Sequence, residues 1–288
     1  MEKINYSFII PHKNSQSLLL RCIQSIPNRN DVQIIVVDDN STDIEESWND
    51  FLKKVPHVLF LKSKDCHSAG AVRNIGLSYA QGKWILFADC DDYYTENFLN
   101  ILDQYIDTNN DVVYFNSATE GINTISGIQK IISSYNIDPQ KWLDFIRYKI
   151  RNPWMKMVKH ELLVKYDIKF EDIVLGNDIW YSIQVGYFAK YILVLDANIY
   201  VYSYNPYGIS NNRTVAKDVA EIEGYIKMNE FFKFIGHPEW KISFLGYIKW
   251  NLFHRSHPIL QVMAYIKNIF HFYKVRNYYV NQLKIKSI

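Results

Sequence analysis

Five short apolar runs in the first 120 residues set what this chain can fold into. They are Tyr6–Pro11 (YSFIIP), Gln33–Val37 (QIIVV), His57–Leu61 (HVLFL), Trp84–Ala88 (WILFA) and Val112–Phe115 (VVYF). None alternates with polar residues as a half-solvated strand does, so each must be covered on both faces. Between them apolar residues recur at helical spacing, as in Leu18, Leu19, Cys22, Ile23 and Ile26. Further helices are expected through Trp48, Phe51 and Leu52, over Ala69–Ala80 with Gly82 as its cap, and through Phe98, Leu99, Leu102 and Tyr105. Alternating strands and helices predict an α/β fold, a mostly parallel sheet sandwiched by helices. Ligands of such sheets bind beyond the carboxyl ends of the strands. Those ends are Pro11-His12-Lys13-Asn14, the run Asp38–Asp43, and Asp89-Cys90-Asp91-Asp92.

Beyond residue 120 the pattern loosens. Helices are expected over Trp142–Tyr148, Lys159–Tyr166, Asp178–Phe188 and near 215–234, and strands over Tyr191–Leu195 and Ile199–Tyr204. The 288 residues are 48% hydrophobic and 22% charged, which excludes a disordered chain. Three cysteines (Cys22, Cys66, Cys90) without metal-type spacing argue against a disulfide framework and for a reducing compartment. The N-terminus carries no secretory pattern, and no apolar stretch reaches the ~18–20 residues a spanning helix needs. A soluble or peripheral cytoplasmic protein is therefore expected.

Charge divides the chain. Residues 1–240 carry 24 Lys and Arg against 30 Asp and Glu, a net of −6, whereas residues 241–288 carry eight bases and no acid. We expect a catalytic domain over 1–238, with a nucleotide-binding half (1–116) and an acceptor half (117–238), and a helical C-terminal extension over 239–288. In the extension Tyr247, Trp250, Phe253, Tyr265, Ile269, Phe270, Phe272 and Tyr273 are interleaved with the cations. Aromatic anchors with cations suit an anionic membrane surface. The plainer reading packs the aromatics on the core. No nucleic-acid motif accompanies the charge, so no nucleic-acid partner is expected.

Asp89-Cys90-Asp91-Asp92 is the strongest chemical signal. Three carboxylates within four residues repel one another, and a divalent cation with oxygen ligands, Mg²⁺ or Mn²⁺, relieves this. On an extended backbone Asp89 and Asp91 face one pocket, while Asp92 suits a cap for the next helix. In Asp38–Asp43 a carboxylate can accept a hydrogen bond from a nucleobase imide, although Asp, Asn and Ser are also ordinary turn residues. Arg73, in Ala71-Val72-Arg73-Asn74-Ile75-Gly76, offers a planar fork of donors to a nucleotide, or serves as a surface cation. Asp178, behind Gly176-Asn177, reads by itself as a helix-capping carboxylate.

Together these segments resemble the family 2 inverting glycosyltransferases of the A-type, Rossmann-like fold. The resemblance rests on Phe8-Ile9-Ile10-Pro11, Val36-Val37-Asp38-Asp39-Asn40-Ser41-Thr42-Asp43, Ala71–Gly76 with Ala80-Gln81-Gly82-Lys83, and Phe87-Ala88-Asp89-Cys90-Asp91-Asp92. A weaker likeness continues through Asn152-Pro153-Trp154-Met155-Lys156, Phe170, Asn177-Asp178 and Tyr200-Val201-Tyr202. It implies that Asp39 contacts the base, usually uracil, and that Pro11 lies along the base pocket. Arg73 would hold the nucleotide, and Asp89 would stand near the ribose. Asp91, with Asp89, would hold a metal bridging the phosphates. Asp178 would be the catalytic base, with Asn177 replacing the family's usual Glu. The implied reaction moves a sugar from a nucleotide diphosphate donor, UDP-linked by expectation, to a hydroxyl of a bacterial surface glycan or lipid-linked acceptor. Two rivals are a nucleotidyltransferase, for which the Gly-free loop at residues 9–16 is a poor phosphate cradle, and a non-catalytic nucleotide-sugar-binding protein.

Overall fold

The computed structural model describes residues 3–64, 66, 68–121, 127–206, 208, 214–243, 246, 259, 263, 266 and 278–287. By its internal contacts the chain divides into two units, Met1–Asp172 with Tyr181–Asn205, and Ile173–Trp180 with Pro206–Ile288. The first unit is built on an eight-stranded mixed sheet in the order β3-β2-β1-β4-β7-β6-β8-β5. Its strands are β1 (Tyr6–His12), β2 (Val32–Asp38), β3 (Val58–Lys62), β4 (Trp84–Phe87), β5 (Tyr93–Tyr94), β6 (Val112–Glu120), β7 (Lys156–Lys159) and β8 (Ile192–Ser203).

Every residue of β1 is buried. The strand lies between β2, in the register Tyr6↔Val32, and β4, in the register Tyr6↔Trp84, both parallel. Helix α1 (Gln16–Gln24) follows β1, α2 (Trp48–Lys54) follows β2, and α3 (Ala69–Tyr79) follows β3 and packs on β1 and β2. Beyond β4 come α4 (Phe98–Asp103), α5 (Gly127–Tyr135), α6 (Pro139–Lys149) and α7 (His160–Lys165). The core includes Phe8, Tyr94 and Phe98, whose rings meet at 5.2, 5.8 and 4.3 Å. Burying each such ring contributes roughly 1.5–3 kcal/mol.

The parallel expectation holds for β3-β2-β1-β4 and for β6 with β8. Three pairings are antiparallel: β4–β7, β6–β7 and β5–β8. Strand β7 was not expected, because Lys159–Tyr166 read as a helix. The helix starts at His160, and Met157 and Val158 are buried in the ladder before it. Four residues are too few to carry a periodic signal, and β7 takes its conformation from β4 and β6 on either side. The two strands expected at 191–204 are one strand, β8, whose register against β6 shifts around Asn116.

Gly82 does not cap a helix. Ala80 closes α3 in an extended conformation, φ −67° and ψ 136°. At Gly82 a Cβ would lie 2.5 Å from the Ser7 nitrogen and 2.7 Å from the Tyr6 carbonyl carbon. The residue is glycine because the chain passes directly against β1, where its N–H donates to Ser7 Oγ at 2.8 Å. The three cysteines are unbridged.

In the second unit α9 (Val215–Phe234) packs against α10 (Tyr278–Lys286). Lys227 is buried there, bonded to Glu223 at 2.9 Å and 4.0 Å over the Tyr279 ring. Helix α8 (Asn177–Phe188) begins in this unit and ends in the first. Tyr247, Trp250, Phe253, Tyr265, Ile269, Phe270, Phe272 and Tyr273 lie outside the described residues. Among the described residues no helix is long and apolar enough to cross a membrane.

Candidate functional site

The ends of β1 and β2 are locked by a buried dyad. His12 Nε2 accepts the Ser15 N–H at 3.1 Å, which makes the ring neutral with its proton on Nδ1. That Nδ1–H donates to Asp38 Oδ1 at 3.0 Å, and Ser41 donates both its N–H (3.1 Å) and its hydroxyl to the same carboxylate. Burial disfavours the charge on Asp38, but the bonds from His12 and Ser41 outweigh it and hold the carboxyl below the usual range. Asn14 and Asn40 adopt left-handed backbones at φ 50° and 53°. Asn14 Oδ1 accepts the N–H groups of Thr42 and Asp43, closing one loop on the other.

Asp38 is spent on structure, and Asp39, its side chain 14% exposed, is held from two sides of the loop. Asp39 Oδ2 accepts from Lys13 Nζ at 3.2 Å, and Oδ1 accepts from the Ser63 hydroxyl at 3.3 Å. Its N–H donates to the His12 carbonyl at 2.7 Å. Pro11 is buried in β1 opposite Val37. The β4 ladder ends at Ile9↔Phe87, with Ala88 N–H donating to Ile9 O. Pro11 faces the same side as Ile9, where β4 has already ended, so its missing N–H costs no ladder bond.

The acidic segment after β4 is a turn, closed by Asp92 N–H to Asp89 O at 3.1 Å, and not the extended stretch expected from spacing. Each carboxylate has its own partner. Asp89 Oδ1 accepts from Arg73 Nη2 at 2.5 Å; Arg73 is 6% exposed and lies 5.4 Å from the Phe170 ring. Asp91 Oδ2 accepts from Asn205 Nδ2 at 2.9 Å. Burial, with the Asp89 charge, holds the Asp91 carboxyl above the usual range, opposed by the Asn205 bond and by Arg21. Asp92 does not cap α4, whose N-cap is Asn97. It accepts the Tyr200 hydroxyl and the Ser203 N–H, each at 2.8 Å, and burial beside Asp89 pushes it up to about 8. Among the described residues no three His, Cys, Asp or Glu side chains gather to hold a metal.

Two bonds between Asn74 and the Phe170 main chain, both 2.9 Å, tie α3 to the segment leading to α8. Ser68 caps α3 and donates its hydroxyl to Asp172 at 2.8 Å. Asp178 stands in the first turn of α8, half-buried, after Gly176 at φ +76°. A helix N-terminus favours an ionised carboxylate. Arg21, Ser203 and Asn205 carry no signal in the sequence, because they act through bonds to segments distant in the chain. Asn74 and Tyr200 stand in the sequence only as members of motifs, with no role of their own.

Comparison with known proteins follows the same lines. The family model described as "Glycosyl transferase family 2" matches residues 7–165. A poly(ribitol-phosphate) beta-glucosyltransferase of Bacillus spizizenii is 38% identical over 93 residues, 30% of this chain and only 15% of that relative's length. The poly(ribitol-phosphate) beta-N-acetylglucosaminyltransferase TarP of Staphylococcus aureus is 28% identical over 245 residues, 82% of this chain and 72% of TarP. Among solved structures, S. aureus TarS 1-349 in complex with UDP-GlcNAc aligns with a TM-score of 0.61 at 18% identity, covering 96% of this chain and 92% of that one. That likeness shows the fold, the A-type glycosyltransferase architecture.

The His12–Asp38 dyad generates a pH prediction. A carboxyl held below its unfolded value adds stability above about pH 4, and that stability is lost as pH falls through the folded value. Asp38→Asn should cost about 1.5–3 kcal/mol at neutral pH, the worth of charged hydrogen bonds. Urea unfolding should show the gap between wild type and variant shrinking toward about pH 3. An equal gap at both pH values would refute an ionised Asp38 as the source of that stability.

Proposed function

The chain belongs to glycosyl transferase family 2, and from that premise we propose that it moves a sugar from a UDP-linked donor to a hydroxyl of a surface glycan or lipid-linked acceptor, with metal dependence and inversion. The observation that carries this reading is the turn after β4, where Arg73 is bonded to Asp89 while the half-buried Asp91 accepts a side-chain bond from the neutral amide of Asn205. It lies at the carboxyl ends of the strands, where ligands of such sheets bind. The catalytic limits proposed are residues 1–238, with 239–288 as an extension.

In this reading Asp39 accepts the imide N–H of the base, with Pro11 along the base pocket. Ser63 and Lys13 hold the Asp39 carboxylate in place. Arg73 holds the nucleotide from its seat against Phe170, and Asp89 stands near the ribose. The donor set fits a divalent cation: Mg²⁺ and Mn²⁺ are commonly held by one or two carboxylates together with substrate phosphates, and Asp91, with Asp89 beside it, supplies them. Such an ion offsets negative charge on the departing diphosphate.

Asp178 is the proposed base. It takes the acceptor hydroxyl proton as the oxygen attacks the anomeric carbon, while the bond from that carbon to the diphosphate breaks on the opposite face. One displacement inverts the centre, and no covalent nucleophile is required. An ionised Asp suffices as base, because the hydroxyl becomes acidic only as its new bond forms. The rival Asp172 is already bonded to Ser68.

A screen of nucleotide sugars with Mn²⁺ identifies the donor. EDTA or Asp91→Ala should then abolish transfer, and Asp178→Asn should lose about 10²–10⁴ in rate while still binding UDP. Full activity in EDTA would remove the metal, and near-normal turnover of Asp178→Asn beside a dead Glu171→Gln would move the base. A nucleotidyltransferase would instead release pyrophosphate from a nucleoside triphosphate in the same screen.

Calorimetry isolates the base contact. Asp39→Ala should weaken UDP binding about ten- to a hundredfold, the worth of a charge-assisted hydrogen bond. An unchanged dissociation constant would return Asp39 to a turn-capping role.

We further propose that the extension meets an anionic membrane surface. Ile259, Met263 and Ile266, at helical spacing, are 71%, 61% and 62% exposed, and the segment is uniformly basic. Full-length protein should co-sediment with phosphatidylglycerol-containing liposomes and be released by high salt. Equal binding to purely zwitterionic liposomes would exclude the electrostatic contact.

A further inference from the structure

Arg21, in the last turn of α1, makes a set of bonds that the proposed mechanism does not use. Its Nη2 donates to the main-chain carbonyl of Asp91 at 2.5 Å and to Ser203 Oγ at 3.1 Å. Nη1 reaches Glu120 Oε2 at 3.4 Å, and the guanidinium lies 4.8 Å from the Tyr93 ring centroid. Ser203 Oγ in turn donates to Glu120 at 2.9 Å. One side chain thus joins α1, the acidic turn, Tyr93 directly after it, and the ends of β6 and β8.

Stability alone is a poor account of this arrangement. The Arg21 and Glu120 side chains are 40% and 52% exposed, and an exposed ion pair contributes about 0–1 kcal/mol. The short bond goes to the carbonyl of Asp91, the residue whose carboxylate is proposed to meet the metal. Asn205 holds that carboxylate from the other side at 2.9 Å. With its carbonyl and its carboxylate both tethered, Asp91 has little freedom to turn.

We propose that Arg21 is a positioning residue for the donor site, fixing the acidic turn so that Asp91 presents its carboxylate to the metal–diphosphate pair. This rests on the reading in which Asp91 meets that pair. Lysine would not replace it, because a single ammonium does not reproduce the fixed fork of donors that reaches the carbonyl, the hydroxyl and the carboxylate beside a ring.

The test is UDP binding by calorimetry to the full chain, with Mn²⁺ and with EDTA, for wild type, Arg21→Met and Arg21→Lys, alongside thermal melts. Both variants should bind UDP roughly 10–100-fold more weakly in Mn²⁺, the usual loss when an outer partner of a metal ligand is removed. Metal-free UDP binding should stay near wild type. Unchanged affinity in Mn²⁺ overturns the proposal, as does an equal loss with and without Mn²⁺, which would mark general loosening. Should Arg21→Met fail to fold, Arg21→Lys, which keeps the charge, carries the same comparison. If wild type itself gains no affinity for UDP from Mn²⁺, the metal reading falls, and this proposal falls with it.

Discussion

Three carboxylates within four residues cannot share one turn unless each is held apart from the others, and the sheet is laid out so that they are. Arg73, from α3, takes Asp89; Asn205, just past β8, takes Asp91; Tyr200 and Ser203, on β8, take Asp92. The supports come from two elements, α3 and the end of β8. This requires β8 to return beside β6 and to pair with β5 directly after the turn, at Tyr93↔Val201. The two-residue strand β5 is therefore more than an edge fragment, because it registers the acidic turn against its partners on β8.

Tyr200 is the centre of that registration. Its hydroxyl accepts the Asp89 N–H at 2.9 Å and donates to Asp92 at 2.8 Å, so one oxygen spans the turn. Burial raises the phenol well above its ordinary range, with the charges of Asp92 and Asp89 adding to it, and so keeps it a hydrogen-bond donor. Its ring stacks on Trp154 at 4.7 Å and meets Tyr94 edge-on at 5.2 Å. The polar end of the ring organises the site, and its apolar body is core.

How much of this could be read in the sequence follows from range. The strands from β1 to β4 announce themselves because each is a continuous apolar run, and the chemistry at their carboxyl ends follows from parallel topology. Strand β7 was not legible, since it has only Met157 and Val158 to show; helix α5 carries a helical period in Ile128, Ile131, Ile132 and Tyr135, but over only nine residues beside a loose stretch. Gly82 was legible as a special residue but assigned the wrong cause, since a glycine needed for close approach looks in sequence like one needed for a cap. Asp92 was assigned to the next helix because its partners lie 108 and 111 positions away. Arg21 had no local signal at all, since a basic residue in the last turn of a helix is ordinary.

Adjacent carboxylates divide their labour by the same geometry at both strand ends. Asp38 ends β2 almost fully buried and is consumed by His12 and Ser41, and Asp39, the next residue, is the more exposed of the two and pairs with Lys13. After β4, Asp92 is buried and consumed by β8, while its neighbour Asp91 is half-buried and accepts from Asn205. Neighbouring residues in an extended or turning chain point in different directions, so a doubled Asp buries one carboxylate more deeply than the other. The buried member fixes the loop through bonds to residues distant in the chain, and its neighbour inherits that fixed backbone. Of a paired Asp at the end of a buried strand, burial thus decides which one is the support.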